Sequence, residues 1–143
     1  EGTALPETLP VGACHHNLAY WLNADYLAAG AGAHGHVFPR RYFDILNIDA
    51  YIAAARGGEL PTAEITELDA RDLQIETMFM GLRLNTGVSY AHFRDRCGAE
   101  MADVFGPTLD ELETLGLLLR DDVGVRLSER GRMLGNQVFV RFV

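Results

Sequence analysis

Apolar positions recur at helical spacing through the second half of this chain and at no fixed spacing through the first, and that contrast divides it in two. In the first part, Ala13 to about Trp21 suit a short helix or turn. Tyr26 to Ala31 then form an apolar run of small residues between Asp25 and a group of glycines. A short run of this kind predicts a buried strand of a parallel sheet. Gly30 to Gly35 become a tight turn at its carboxyl end, where α/β sheets and barrels place their ligand sites. Ile48 to Arg56 are helical in pattern, with Asn47 or Asp49 as cap and Gly57-Gly58 as stop. Gly57 to Pro61 is the expected boundary, giving a first domain over 1–58 and a second over 59–143.

The second part is regular. Thr66 and Asp69 have the spacing of a helix start, and Ile75, Met78, Phe79 and Leu82 carry that helix to about Leu84. Ser89 opens a second helix through Tyr90 and Phe93, stopped at Gly98. Thr108-Leu109-Asp110-Glu111 reads as another capping box, followed by Leu112 and Leu115 and stopped at Gly116. Leu117 to Arg120 and Val123 to Leu127 flank an Asp121-Asp122 turn and predict a hairpin. Ser128 caps a closing helix through Leu134, Val138 and Phe142. The expected fold is α+β, mainly α, with a winged-helix-like C-terminal domain.

Composition narrows the function. A hydrophobic fraction of 48% and a charged fraction of 22% are those of an ordinary globular domain. No apolar stretch reaches the length of a membrane span, and the expected location is cytoplasmic. Cys14 and Cys97 are too far apart in sequence to form a metal clip. The net charge of −8 argues against nucleic acid, since a phosphate backbone is bound by displacing counterions with Lys and Arg. The region from Gly98 to Leu119, where a winged helix would read DNA, holds Glu100, Asp103, Asp110, Glu111 and Glu113 and no basic residue. All twelve basic residues are Arg, which reads as a composition bias with a surface role for most of them, although Arg is also the better side chain for forked contacts to carboxylates. The first residue is Glu1, not Met, and Glu1 to Pro10 show no periodicity, as expected of a piece of a longer polypeptide.

The chemistry concentrates near the start, in Cys14-His15-His16-Asn17-Leu18-Ala19-Tyr20-Trp21 and in Gly30-Ala31-Gly32-Ala33-His34-Gly35-His36. Gly30, Gly32 and Gly35 match the GxGxxG of dinucleotide folds. That fingerprint needs a helix directly after it, where this chain has Pro39 and no apolar periodicity. A divalent-metal site from Cys14, His15 or His16, His34 and His36 has suitable residue types but no usual spacing. Histidine is also a common ligand of haem iron.

The order and spacing of HNxxYW (His16, Asn17, Tyr20, Trp21), Asp25-Tyr26-Leu27 and Gly30 to Gly35 resemble the radical-SAM haem chaperones, within the family of oxygen-independent coproporphyrinogen III oxidase-like proteins. The likeness continues through Met78-Phe79-Met80-Gly81-Leu82-Arg83-Leu84, Gly116-Leu117-Leu118 and Leu127-Ser128-Glu129-Arg130-Gly131. It implies that Tyr26 to Ala31 and the helix after them are the end of a partial TIM-like barrel. It implies a parent with a [4Fe-4S] cluster on CxxxCxxC and S-adenosylmethionine on the unique iron, acting as a haem chaperone or, alternatively, as a coproporphyrinogen III oxidase in porphyrin biosynthesis. No CxxxCxxC occurs here, so this chain alone is expected to be inactive in radical chemistry.

For the site, the resemblance implies haem binding by His16, Asn17, Tyr20 and Trp21, with His34 at the rim of the barrel. His16 would ligate the iron, and Tyr20 and Trp21 would pack on the macrocycle. His15 and Cys14 are alternative ligands, and a structural role for His16 and Trp21 at the domain junction is the competing reading. The implied partners are haem or porphyrin, a haem-recipient protein, and a second copy of the chain paired through the exposed barrel strand. A docking module without its own ligand is the remaining alternative.

Overall fold

The computed structural model describes residues 14–143, so the aperiodic opening and the helix start at Ala13 lie outside the described residues. Two compact units emerge: Ala24–Asp69, and residues 14–23 together with Ala70–Val143.

The first unit is an antiparallel meander. Strands β1 (His34–Val37), β2 (Arg40–Asp44) and β3 (Thr62–Glu67) pair in that order, and helix α2 (Ile48–Arg56) fills the β2–β3 connection. Helix α2 has the predicted bounds, and Asn47 is its cap, its side chain accepting from the Ala50 N–H at 3.0 Å. The predicted parallel strand over Tyr26 to Ala31 is replaced by one antiparallel bridge, Tyr26 to His36, with N···O distances of 2.7 and 2.9 Å. The physical reason is that two of this segment's other amides go to side chains. Tyr42 Oη accepts from Ala28 N–H and Tyr51 Oη from Gly30 N–H, each at 3.2 Å. Gly30 and Gly32, at φ 117° and 70°, then turn the chain into β1, so strand rather than helix follows the glycines.

Thr66 lies in β3 opposite Arg41, so the expected helix start there is corrected: the pairing of β3 with β2 outweighs the capping pattern, and the helix begins at Ala70. The same pairing moves the division between units from 58/59 to 69/70.

The second unit contains α1 (His15–Trp21), α3 (Ala70–Gly81), β4 (Val88–Ser89), α4 (Tyr90–Cys97), α5 (Met101–Thr114), β5 (Leu118–Arg120), β6 (Gly124–Leu127), α6 (Glu129–Met133) and α7 (Gly135–Phe139). Its sheet is antiparallel, ordered β4-β6-β5. Ser89 caps α4 by accepting from His92 N–H at 3.1 Å, and Gly98 ends it in the left-handed region. Asp121 Oδ1 accepts from Val123 and Gly124 N–H, both at 3.0 Å, and closes the predicted hairpin.

Helix α5 runs straight through the expected capping box at Thr108. Met101, Phe105, Leu109 and Leu112 are all buried on one face, and burial of that stripe overrides a local start signal. Pro107 sits inside the helix, and Gly106 before it lacks the Cβ that would crowd the proline ring. The closing helix breaks at Leu134 into α6 and α7. The core joins Met78, Leu82, Phe93, Phe105, Leu118, Val125 and Phe142, with Phe105 edge-on to Phe93 and Phe142 at centroid distances of 6.0 and 5.1 Å. Among the described residues no helix is long and apolar enough to cross a membrane.

Two glycines separate conformational strain from steric strain. Gly98→Ala, left-handed but with open space around its Cβ, should cost about 1 kcal/mol in urea denaturation. Gly87→Ala drives a Cβ into the Val125 carbonyl oxygen at φ 71° and should cost about 2–4 kcal/mol.

Candidate functional site

Helix α1 carries the HNxxYW run. It is seven residues long, its cap Cys14 makes no side-chain bond, and no charged side chain complements either end. A helix so short is marginal in water by itself, so its order comes from what it is tied to.

The ties gather at its carboxyl end. Asn23 adopts φ 49°, ends the helix, and is buried with its Nδ2 donating to Thr77 Oγ1 at 3.3 Å. The same hydroxyl donates to the Leu73 carbonyl at 2.7 Å and accepts from the Cys97 thiol at 3.6 Å. Thr77 is 1% exposed, so these partners satisfy a hydroxyl that water cannot reach. Burial pushes the Cys97 thiol up from its ordinary value, which suits a hydrogen-bond donor rather than a nucleophile.

On α4, the His92 imidazole is hydrogen-bonded to the Leu22 carbonyl, one residue beyond α1. Burial lowers the pKa of His92, the most of any cause. The Leu22 bond and Asp95 act the other way, and Arg96 adds to the lowering.

Trp21 is held by a cation. The Arg83 guanidinium lies 5.6 Å from the Trp21 ring centroid, 4.4 Å from that of Phe79 and 5.0 Å from that of Phe139. Phe79 and Phe139 are themselves 4.9 Å apart, so one arginine is shared among three rings. The rest of α1 is open: His15, His16 and Asn17 are exposed, and Tyr20 is half-buried with its ring edge-on to His16 at 4.9 Å and 90°. That contact is the i, i+4 neighbour relation of a helix face.

Of the predicted site residues, His16, Asn17, Tyr20 and Trp21 therefore share one helix of the second unit. His34 belongs to the first unit, exposed at the start of β1 with its ring 5.6 Å from Phe43. His36 is buried in that unit, 6.0 Å from the Tyr26 ring. The divalent-metal reading is not assembled: among the described residues no three His, Cys, Asp or Glu side chains come close enough to hold an ion.

Sequence reasoning missed Asn23, Thr77, Arg83, His92 and Cys97. Arg83 lies in the Met78 to Leu84 run quoted above, but its partners come from distant segments and left no local signal.

Comparison with known proteins fits this architecture. Residues 68–134 match the HemN C-terminal domain. That stretch belongs to the HemN C-terminal domain family. It is 34% identical over 128 residues to the heme chaperone HemW of Bacillus subtilis, an alignment covering 90% of this chain and 34% of that protein. It is 31% identical to the HemW of Lactococcus lactis, covering 94% and 35%. It is 30% identical to radical S-adenosyl methionine domain-containing protein 1, mitochondrial, of Danio rerio, covering 83% and 29%. The chain thus spans about a third of the length of the curated relatives it matches. Among solved structures, the coproporphyrinogen III oxidase HemN of Escherichia coli, described as a radical SAM enzyme, shares the fold with a TM-score of 0.60 at 20% identity, over 82% of this chain and 28% of that one.

The lowered pKa of His92 makes the second unit acid-sensitive. The unfolded chain holds a proton on this imidazole near the ordinary value of about 6.5, whereas the folded chain takes it up only at lower pH. In that window the unfolded state binds more protons, so stability is full above the ordinary value and falls as pH drops through it. His92→Gln keeps an N–H donor for Leu22 and should flatten the fall. Urea midpoints at pH 7.5 and 5.5 check this: equal acid losses in both proteins would contradict it. Thr77→Val should cost about 1–3 kcal/mol, since it strips Asn23 and Cys97 of their acceptor.

Proposed function

We propose that this chain is the haem-carrying C-terminal portion of a HemW-type haem chaperone, with His16 as the iron ligand. The observation that carries the reading is that α1 is fastened at one end and open at the other: Leu22, Asn23 and Trp21 are tied to α3 and α4, while His16 stands exposed beside Tyr20. A ligating imidazole needs a fixed backbone and a second interaction that limits its rotation, and the edge-on Tyr20 ring supplies the latter. Haem here is cargo, presented to the helix from outside.

The four residues divide their work. His16 offers a ring nitrogen, Asn17 or a backbone carbonyl fixes the opposite nitrogen, and Tyr20 extends an aromatic face along the macrocycle. Trp21, which the resemblance also places on the macrocycle, holds the helix through Arg83. His34 stands as an outlying contact, from the first unit. The naming of the HemW relatives as heme chaperones supports this branch over an oxidase. The order of α3, α4 and α5 followed by the β5–β6 hairpin in the second unit supports the winged-helix-like description, while the antiparallel sheet of the first unit gives no support to a parallel barrel end.

The [4Fe-4S] cluster and S-adenosylmethionine belong in this reading to the parent protein. Cys14 is exposed on one element and Cys97 is engaged with Thr77, so the residues present do not fit a cluster, and no step here runs through one. The parent would work in the cytoplasm and pass haem to a recipient protein. The exposed Leu27, Leu60 and Ile65 of the first unit support a partner or second copy there.

Haemin titration followed at the Soret band tests the ligand. His16→Ala should abolish the ligation shift and weaken binding at least about tenfold, with added imidazole restoring the spectrum. A Soret response identical to that of the unsubstituted chain would overturn the assignment.

A further inference from the structure

Beside α1, the second unit contains an open groove of about 650 Å³ between the end of α3 and the α6–α7 break. Arg83 and Arg132 stand over it, Met133, Leu134 and Phe139 give it an apolar wall, and Asn136 adds an amide. No carboxylate lines it, although the chain holds 20 acidic residues against 12 arginines. Elsewhere five arginines meet acids, Arg40 with Glu67, Arg94 with Glu100, Arg120 with Asp110 and Glu113, Arg126 with Asp121 and Arg141 with Glu111, while Arg71 and Arg130 donate to the Phe142 and Leu115 carbonyls. Among the described residues neither Arg83 nor Arg132 has such a partner.

Arg83 is also held in place. Three aromatic rings lie within 5.6 Å of its guanidinium, whose N–H fork matches the geometry of a carboxylate. A protein of net negative charge has thus kept a groove with two forked cations, an apolar wall and no anion of its own. The complementary ligand carries two carboxylates on an apolar body.

We propose that this groove receives the propionate edge of a tetrapyrrole, one carboxylate on Arg83 and one on Arg132, against the wall formed by Met133, Leu134 and Phe139. The assignment rests on the haem reading above and adds to it a second, metal-independent contact. Because Trp21 is the sole tryptophan and lies on Arg83, its fluorescence reports directly on the groove.

The test uses metal-free protoporphyrin IX, which offers no iron to His16, and its dimethyl ester, which has lost both charges, each titrated into the whole chain in dilute nonionic detergent. The diacid should quench Trp21 saturably and the ester should bind at least about tenfold more weakly. Arg132→Gln, a change at an exposed side chain, should weaken the diacid by a similar factor with an unchanged melting temperature, and Arg83→Gln, which also gives up the hold on Trp21, should weaken it at least as much when followed by porphyrin absorbance. His16→Ala should leave metal-free binding as it is. Equal affinities for diacid and ester, or an Arg132→Gln chain that binds like the original, would overturn the groove. Loss of metal-free binding in His16→Ala would also overturn it, by placing the contact on α1. A haemin spectrum indifferent to His16→Ala, with the Arg132 dependence intact, would sink the ligand assignment and uphold the groove.

Discussion

One buried hydroxyl anchors the carboxyl end of the histidine helix. Thr77 Oγ1 is the point at which Asn23, the carbonyl of Leu73 and the thiol of Cys97 meet, and it lies where no water reaches. Removing any partner leaves a polar group stranded in the interior, which costs more than the bond itself is worth. The His92 bond to Leu22 and the Arg83 contact with Trp21 then fix the direction in which α1 leaves that anchor. Everything exposed on α1, His16 included, inherits its position from these three ties.

The regular elements were largely legible from pattern. The start of α2, the Ser89 and Ser128 caps and the Asp121 turn follow from side chains bonding to backbone within three residues, and the Gly98 stop from a left-handed backbone that glycine adopts without strain. Local chemistry of that kind is written locally. Patterns misled where a distant partner outbid the near one. Thr66 resembles a cap but pairs with Arg41, and Thr108 resembles a cap but lies within a helix held by Phe105 and Leu109. Tyr26 to Ala31 has the composition of a buried strand, yet two tyrosine hydroxyls take the amides a neighbouring strand would have taken.

The candidate site was half legible. Its exposed half, His16, Asn17, Tyr20 and Trp21, is contiguous in sequence and could be found as a motif. The supporting half, Asn23, Thr77, Arg83, His92 and Cys97, is scattered over three segments and has meaning only once the chain is folded. A cation shared by three rings and a hydroxyl shared by three partners have no period to detect.

The bond between Asn23 and Thr77 joins residues 54 positions apart, with the whole of the first unit strung between them. Closing so long a loop costs chain entropy before any contact repays it, whereas the helices and hairpin that follow Ala70 assemble from near neighbours. Docking of α1 therefore carries a loop-closure cost that the core around Phe93 and Phe105 does not bear. A segment of that kind opens locally at a fraction of the global unfolding free energy. Whatever α1 carries is thus tied to the docking of one short helix, and protonation of His92, disfavoured by its burial, opposes that docked arrangement.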